Sequence, residues 1–164
     1  MSESKFKTMR HIETVRNHLD TIVRELLARA EDHDQSKLQP PEVEIFEVYT
    51  PKLRGCTYGS EEYKTYLKEM QVALDHHYAC NRHHPEFFGG PCVQSPLEQM
   101  TLVDLMEMLC DWKAATLRHA DGDIMQSVNQ NQERFGYSDE VRKILANTAR
   151  WLDEQDTKHL AEES

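Results

Sequence analysis

The chain has 164 residues, 38% of them hydrophobic and 29% charged, with six prolines and six glycines. That is enough for one domain with a core of its own, too short for two comfortable ones, and unlike a disordered or fibrous sequence. A formal charge of −10, from 29 acidic and 19 basic residues, excludes a general attraction to the nucleic-acid backbone or to an anionic membrane, so duplex nucleic acid is not an expected partner.

The first residues, MSESKFKTMRH, lack the apolar stretch of a signal peptide. No window is long and apolar enough for a membrane span, and a cytoplasmic protein is expected. Phe6 to Ala30 place Met9, Ile12, Val15, Leu19, Ile22, Val23, Leu26 and Leu27 at spacings of three and four, which predicts an amphipathic helix. It ends in the polar run Glu31-Asp32-His33-Asp34-Gln35-Ser36-Lys37, and Pro40-Pro41 forbid a simple continuation.

A short helix is expected over Glu42 to Val48, followed by a loop marked by Pro51, Gly55 and Gly59. Ser60 with Glu61-Glu62 starts the next helix, since the hydroxyl caps free N–H groups and the acids suit the positive end of the dipole. Its stripe runs through Tyr63, Tyr66, Leu67, Met70, Ala73, Leu74, His77 and Tyr78, and Pro85 should stop it near His84.

Phe87-Phe88-Gly89-Gly90-Pro91 reads as a turn. Thr101 then caps a helix to about His119 that is apolar almost all round and so expected to be buried. Ile124 to Phe135 form a further helix ended by Gly136, and Ser138 caps a last one with Val141, Ile144, Leu145, Thr148, Trp151 and Leu152 inward; the tail from 154 to 164 is expected to fray. The fold class predicted is all-α, a single bundle of five to seven helices.

Nine histidines are present, and five fall in two clusters, His33 before Asp34 and His76-His77 with His83-His84. Imidazole and carboxylate together suit divalent transition metals: Mn, Fe, Co, Ni or Zn, as one ion or two, with Mg a further choice. His77 continues the apolar stripe and is the better ligand than His76. His84 returns to the same face if the helix persists, and fraying before Pro85 would turn His83 inward instead. The same histidines also suit a helix end in a polar crevice.

Asp104, Glu107 and Asp111 line one stripe of the apolar helix, as metal-binding or supporting carboxylates or as a narrow solvent-facing edge. Ser127, Asn131 and Arg134 share a face that Arg118 would join, suited to a substrate phosphate or simply to water. The four cysteines, Cys56, Cys80, Cys92 and Cys110, form no C-x-x-C pair and read as small core residues rather than a disulfide framework. Cys80, His83, His84 and Cys92 would offer a structural zinc site.

His33-Asp34-Gln35-Ser36-Lys37 resembles the H-D-x-[GS]-K element of HD-domain phosphohydrolases. His83-His84-Pro85-Glu86 with Gly89-Gly90-Pro91 is similar to the H-H-x-E and glycine turn of the HD-GYP branch, without that branch's tyrosine. Asp111 with Ala115 is similar to the last metal-binding helix, and His11 with Val15 to the first-helix H-x-x-x-V. The strings at 33–37, 76–86 and 107–112 also resemble a bacterial and phage family that carries no assigned activity. The resemblance implies an HD-like bundle over 1–164 with a metal held by His11, His33, Asp34 and Asp111 and a phosphate met by Lys37, and the histidine pattern adds His77 with His83 or His84 as ligands. Beside the resemblance, the residues themselves suggest Asp34, Lys37 and His84 as catalytic groups, Lys37, Arg118 and Arg134 on the substrate, and Asp104 and Glu107 in support.

An unbroken first helix would hold His11 and His33 roughly 33 Å apart, and only a break near Asn17 to Asp20 would let them share an ion. The reading that follows is a metal-dependent phosphohydrolase of a small anionic, nucleotide-like substrate. An HD-superfamily di-iron oxygenase and a non-catalytic nucleotide- or partner-binding module are the alternatives, and a homo-oligomer is left open.

Overall fold

A computed structural model of the chain describes residues 2–57, 60–89, 95–117 and 122–162. Among them are seven α-helices: α1 (Glu3–Asp32), α2 (Glu42–Arg54), α3 (Glu61–Glu69), α4 (Gln71–Cys80), α5 (Leu102–Thr116), α6 (Ile124–Phe135) and α7 (Asp139–Glu162). Short 3₁₀ turns span Gln35–Leu38, Pro85–Phe88 and Pro96–Gln99. No strand occurs among the described residues, and the all-α class stands. No described helix is long and apolar enough to cross a membrane. Two compact units divide the chain, Met1–His33 and Asp34–Ser164.

The first unit is α1. Ser2 caps it by accepting from the Lys5 backbone N–H at 3.3 Å, and Lys7–Glu3 and Arg29–Glu25 ion pairs brace its surface at four-residue spacing. The helix is continuous through Asn17 and Asp20, so the break that would have brought His11 back is absent. His11 therefore stands roughly 33 Å along the axis from His33, and the two cannot share an ion.

In the second unit the capping chemistry expected from sequence is in place. Ser60 Oγ accepts from Tyr63 N at 3.1 Å, Thr101 and Asp104 form a reciprocal capping box, Ser138 Oγ accepts from Val141 N at 3.3 Å, and Gly136 ends α6 with φ of 68°. Two elements differ from expectation in their extent. The short helix after Pro41 continues through Pro51 to Arg54. The helix foreseen from Ser60 to His84 is two helices meeting at Met70, whose side chain is buried in the bend, and the second stops at Cys80.

α5 is not buried all round. Leu102, Met106 and Leu117 face outward, and the polar Asp104 lies fully inside. The core of the unit joins Leu97, Met108, Leu109, Ile124, Val128, Phe135, Tyr137, Leu145 and Ala149. In α7 it is Leu145, Ala146 and Ala149 that turn inward, while Ile144 and Trp151 lie outside against expectation. Met108 is fully enclosed, so Met108→Ala should cost about 2–5 kcal/mol through lost burial and the cavity left behind. Chemical denaturation would read this as a lower midpoint at unchanged slope.

Candidate metal centre

The centre is assembled where two chain reversals meet. Asp34 adopts a left-handed backbone, φ 58°, immediately before the 3₁₀ turn Gln35–Leu38. An aspartate tolerates this conformation better than most residues, because its short polar side chain bonds locally. Lys37 Nζ holds Asp34 Oδ2 at 2.5 Å and lies 5.6 Å from the Phe46 ring centre. One carboxylate oxygen is thereby fixed by lysine and the other, Oδ1, is turned toward the histidines.

The second reversal ends α4. Asn81 leaves the helix: its backbone N–H closes the last helical bond, to the His77 carbonyl at 3.0 Å, and its side-chain amide donates to the same carbonyl at 2.8 Å. The chain turns back, with the His84 N–H donating to Asn81 O at 3.2 Å, so His83 and His84 return beside His77 without any helical register. Sequence periodicity posed a choice between His83 and His84; the turn brings both.

Asp34, His77, His83 and His84 each present one donor atom, all within 4.8 Å of one another. His77 Nε2 lies 2.9 Å from His84 Nε2 and 3.3 Å from Asp34 Oδ1, and His83 Nε2 is 3.6 Å from the same oxygen. With metal–ligand bonds of about 2.0–2.2 Å, donors stand roughly 3.0 Å apart on an octahedral edge and roughly 3.4 Å on a tetrahedral one. The four residues therefore fit a metal ion in spacing as well as in chemistry.

Behind two of the imidazoles stand carboxylates. Glu42, the first residue of α2 and fully buried, places Oε2 2.9 Å from His77 Nδ1 and Oε1 2.7 Å from His76 Nδ1. Glu107 on α5 places Oε1 3.0 Å from His83 Nδ1. A ring nitrogen bonded to carboxylate carries the proton, which leaves Nε2 with its lone pair for the centre. Burial first, then the neighbouring His83 and His77, push the His84 imidazole down to about 3, against the pull of Asp111 and Asp34. His84 is thus neutral near pH 7, which suits a ligand.

The loop holding His83 and His84 is fastened on both sides. Arg82 grips Asp104 through two N–H groups at 3.2 Å each and stacks on Phe87 and Phe88. Asp104 also takes the Thr101 N–H and hydroxyl at 2.8 Å, so it clamps the loop and caps α5. Arg134, expected on substrate, has a guanidinium N–H bonded to Glu86 at 2.5 Å.

Asp111 lies near enough for its charge to act on His84 but is not part of the four-residue set. His33 is the capping residue that ends α1 and belongs to the first unit. Cys80 sits beside the His76 ring at 3.8–3.9 Å, not with His83 and His84, so it does not form the zinc arrangement read from sequence. Cys92, Arg118, Gly90 and Pro91 lie outside the described residues. Glu42 was not read as a site residue, because an acid in the first turn of a helix already has an ordinary explanation in the dipole.

Over residues 1–163 the chain matches the model of DUF5662, a family of unknown function. The protein belongs to this family. No curated protein and no solved structure matches it. The DUF5662 assignment therefore covers the whole centre, Glu42 included, and names no activity for it.

Proposed function

We propose that Asp34, His77, His83 and His84 hold a divalent transition metal, and that the protein is a metal-dependent phosphohydrolase acting on a nucleotide or related phosphate ester. The observation that carries this reading is the convergence of three imidazole nitrogens and one carboxylate oxygen within 4.8 Å, in a site backed by buried Glu42. Three nitrogens and one oxygen favour Mn, Fe, Co, Ni or Zn over Mg, which prefers oxygen and retained water. Such an ion, when bound, supplies a Lewis acid for a phosphoryl oxygen and acidifies its bound water.

The chain's own residues have separable tasks. Lys37 holds the outer oxygen of Asp34 and adds a positive charge beside it, where a phosphate would gain from it. Glu42 and Glu107 hold the ring protons of His77 and His83 away from the centre. The H-D-x-S-K likeness at 33–37 supports the phosphohydrolase class. The test is metal analysis of purified protein, then a nucleotide and phosphate-ester panel with each metal, beside Asp34→Ala. Metal-dependent release of phosphate by wild type alone is expected. A protein that binds none of these metals overturns the reading, and iron-dependent oxygen consumption would replace hydrolysis with oxygenation.

A second reading follows from the number of ligands. Four protein donors close a tetrahedral zinc and leave no place for water, as in structural sites. The centre would then staple the turn after Asp34 to the end of α4, and zinc removal would unfold the second unit without any loss of catalysis to measure.

A further inference from the structure

Glu42 is a fully buried carboxylate, bonded to a converging imidazole and not itself among the four converging donors. We propose that Glu42 is a positioning residue: it holds the proton of His77 on Nδ1 and so turns the Nε2 lone pair toward Asp34, His83 and His84. This rests on the metal reading above and deepens it by naming the group that sets the ligand's tautomer.

Helix capping does not account for Glu42. Pro41 occupies the cap position of α2 with no side-chain cap bond, while the Glu42 carboxylate reaches across to α4, 34 and 35 residues away in sequence. There it divides its two oxygens between neighbouring rings, Oε1 to His76 Nδ1 at 2.7 Å and Oε2 to His77 Nδ1 at 2.9 Å. A carboxylate fully removed from water needs donors of this kind to offset its lost hydration. An unprotonated Nδ1 at 2.9 Å would set lone pair against lone pair, so the proton of His77 sits on Nδ1.

Other groups near that nitrogen do not change the assignment. Asn81 Nδ2 is 3.0 Å away but already donates to the His77 carbonyl at 2.8 Å and to Ser36 Oγ at 2.9 Å. Ser36 Oγ, which accepts that Asn81 bond and keeps its own O–H, is the longer contact, 3.2 Å from Nδ1 against 2.9 Å for Glu42 Oε2, and the carboxylate, which can only accept, decides the place of the proton. With Nδ1 protonated, His77 Nε2 can only accept, and the 2.9 Å contact with His84 Nε2 is a bond donated by His84 in the metal-free protein. The same construction recurs at His83, whose Nδ1 lies 3.0 Å from Glu107. Carboxylates from α2 and α5 thus back two of the three imidazoles, and a partner of this kind fixes ring orientation and raises ligand basicity.

The experiment compares full-length wild type with Glu42→Gln, which keeps the volume but offers one acceptor oxygen for two rings. Two readouts are taken: cobalt(II) titration followed by visible absorption, and the tautomer of His77 in metal-free protein from its imidazole nitrogen chemical shifts. Wild-type His77 is expected to carry its proton on Nδ1. Glu42→Gln should lose that preference and bind cobalt roughly 10- to 100-fold more weakly with its helical circular dichroism retained. Cobalt affinity equal to wild type in the folded variant, or a wild-type His77 protonated on Nε2, overturns the proposal. If Glu42→Gln fails to fold, the wild-type tautomer alone decides. A wild type that binds neither cobalt nor zinc overturns the metal reading instead, and the tautomer still decides the role of Glu42.

Discussion

Replacing His77 by alanine is expected to weaken cobalt or zinc binding by more than about 100-fold, exceeding the effect of removing a group that only supports a ligand. Its Nε2 stands between two other donors, 2.9 Å from His84 and 3.3 Å from Asp34, so its loss opens the middle of the set rather than an edge. The ring is also buried and holds Glu42 from behind, hence His77→Ala removes a partner from a carboxylate that has no water to replace it.

Stability should fall with affinity, and the two effects need separating. His84→Ala is the comparison, because His84 has no carboxylate behind it among its described contacts and is less enclosed than His77. Both variants should lose cobalt absorption, whereas only His77→Ala should lower the denaturation midpoint of the metal-free protein strongly. Full-strength cobalt binding by folded His77→Ala would remove the centre as described.

The caps explain why so much of the fold was legible. Ser60, Thr101, Ser138 and Gly136 act through bonds that span three or four residues, and the same spacing is visible in the sequence. Helix existence follows from local periodicity for the same reason. The bend at Met70 does not, since no glycine or proline marks it and the residue there is a buried methionine of the apolar stripe. Nor does the facing of Ile144 and Trp151, where three- and four-residue spacing fits two neighbouring stripes of α7 and packing chooses the one through Leu145 and Ala149.

The centre divides along the same line. Asp34, His77, His83 and Glu107 were readable because each clusters with other chemistry-bearing residues in the sequence. The choice between His83 and His84 stayed open in the sequence because it was argued from helical register, and α4 ends at Cys80, before register can apply. Asp104 lies on the stripe of Glu107 and Asp111, yet one turn of α5 separates a clamp for Arg82 from a partner for His83. Glu42 is joined to its histidines only by tertiary packing of α2 on α4, a relation that no spacing encodes.

Acidification should destabilise the metal-free protein over a window set by His84. Its folded imidazole is held down at about 3, chiefly by burial and then by His83 and His77, whereas in the unfolded chain it takes a proton near the ordinary 6.5. Between these values the unfolded chain binds a proton that the native state refuses. The contribution of His84 is therefore complete above about pH 6.5 and is lost progressively as pH falls toward 3. At about 1.4 kcal/mol per unit, the loss is of the order of a few kcal/mol across the window. Urea denaturation of metal-free protein from pH 7 to pH 4 should show this slope, and His84→Leu should flatten it; equal slopes in the two proteins would contradict the cause given. Bound metal should raise the plateau near neutrality, because the ion binds the native state alone. It should also make the acid loss steeper, because protons compete for the same imidazole nitrogens.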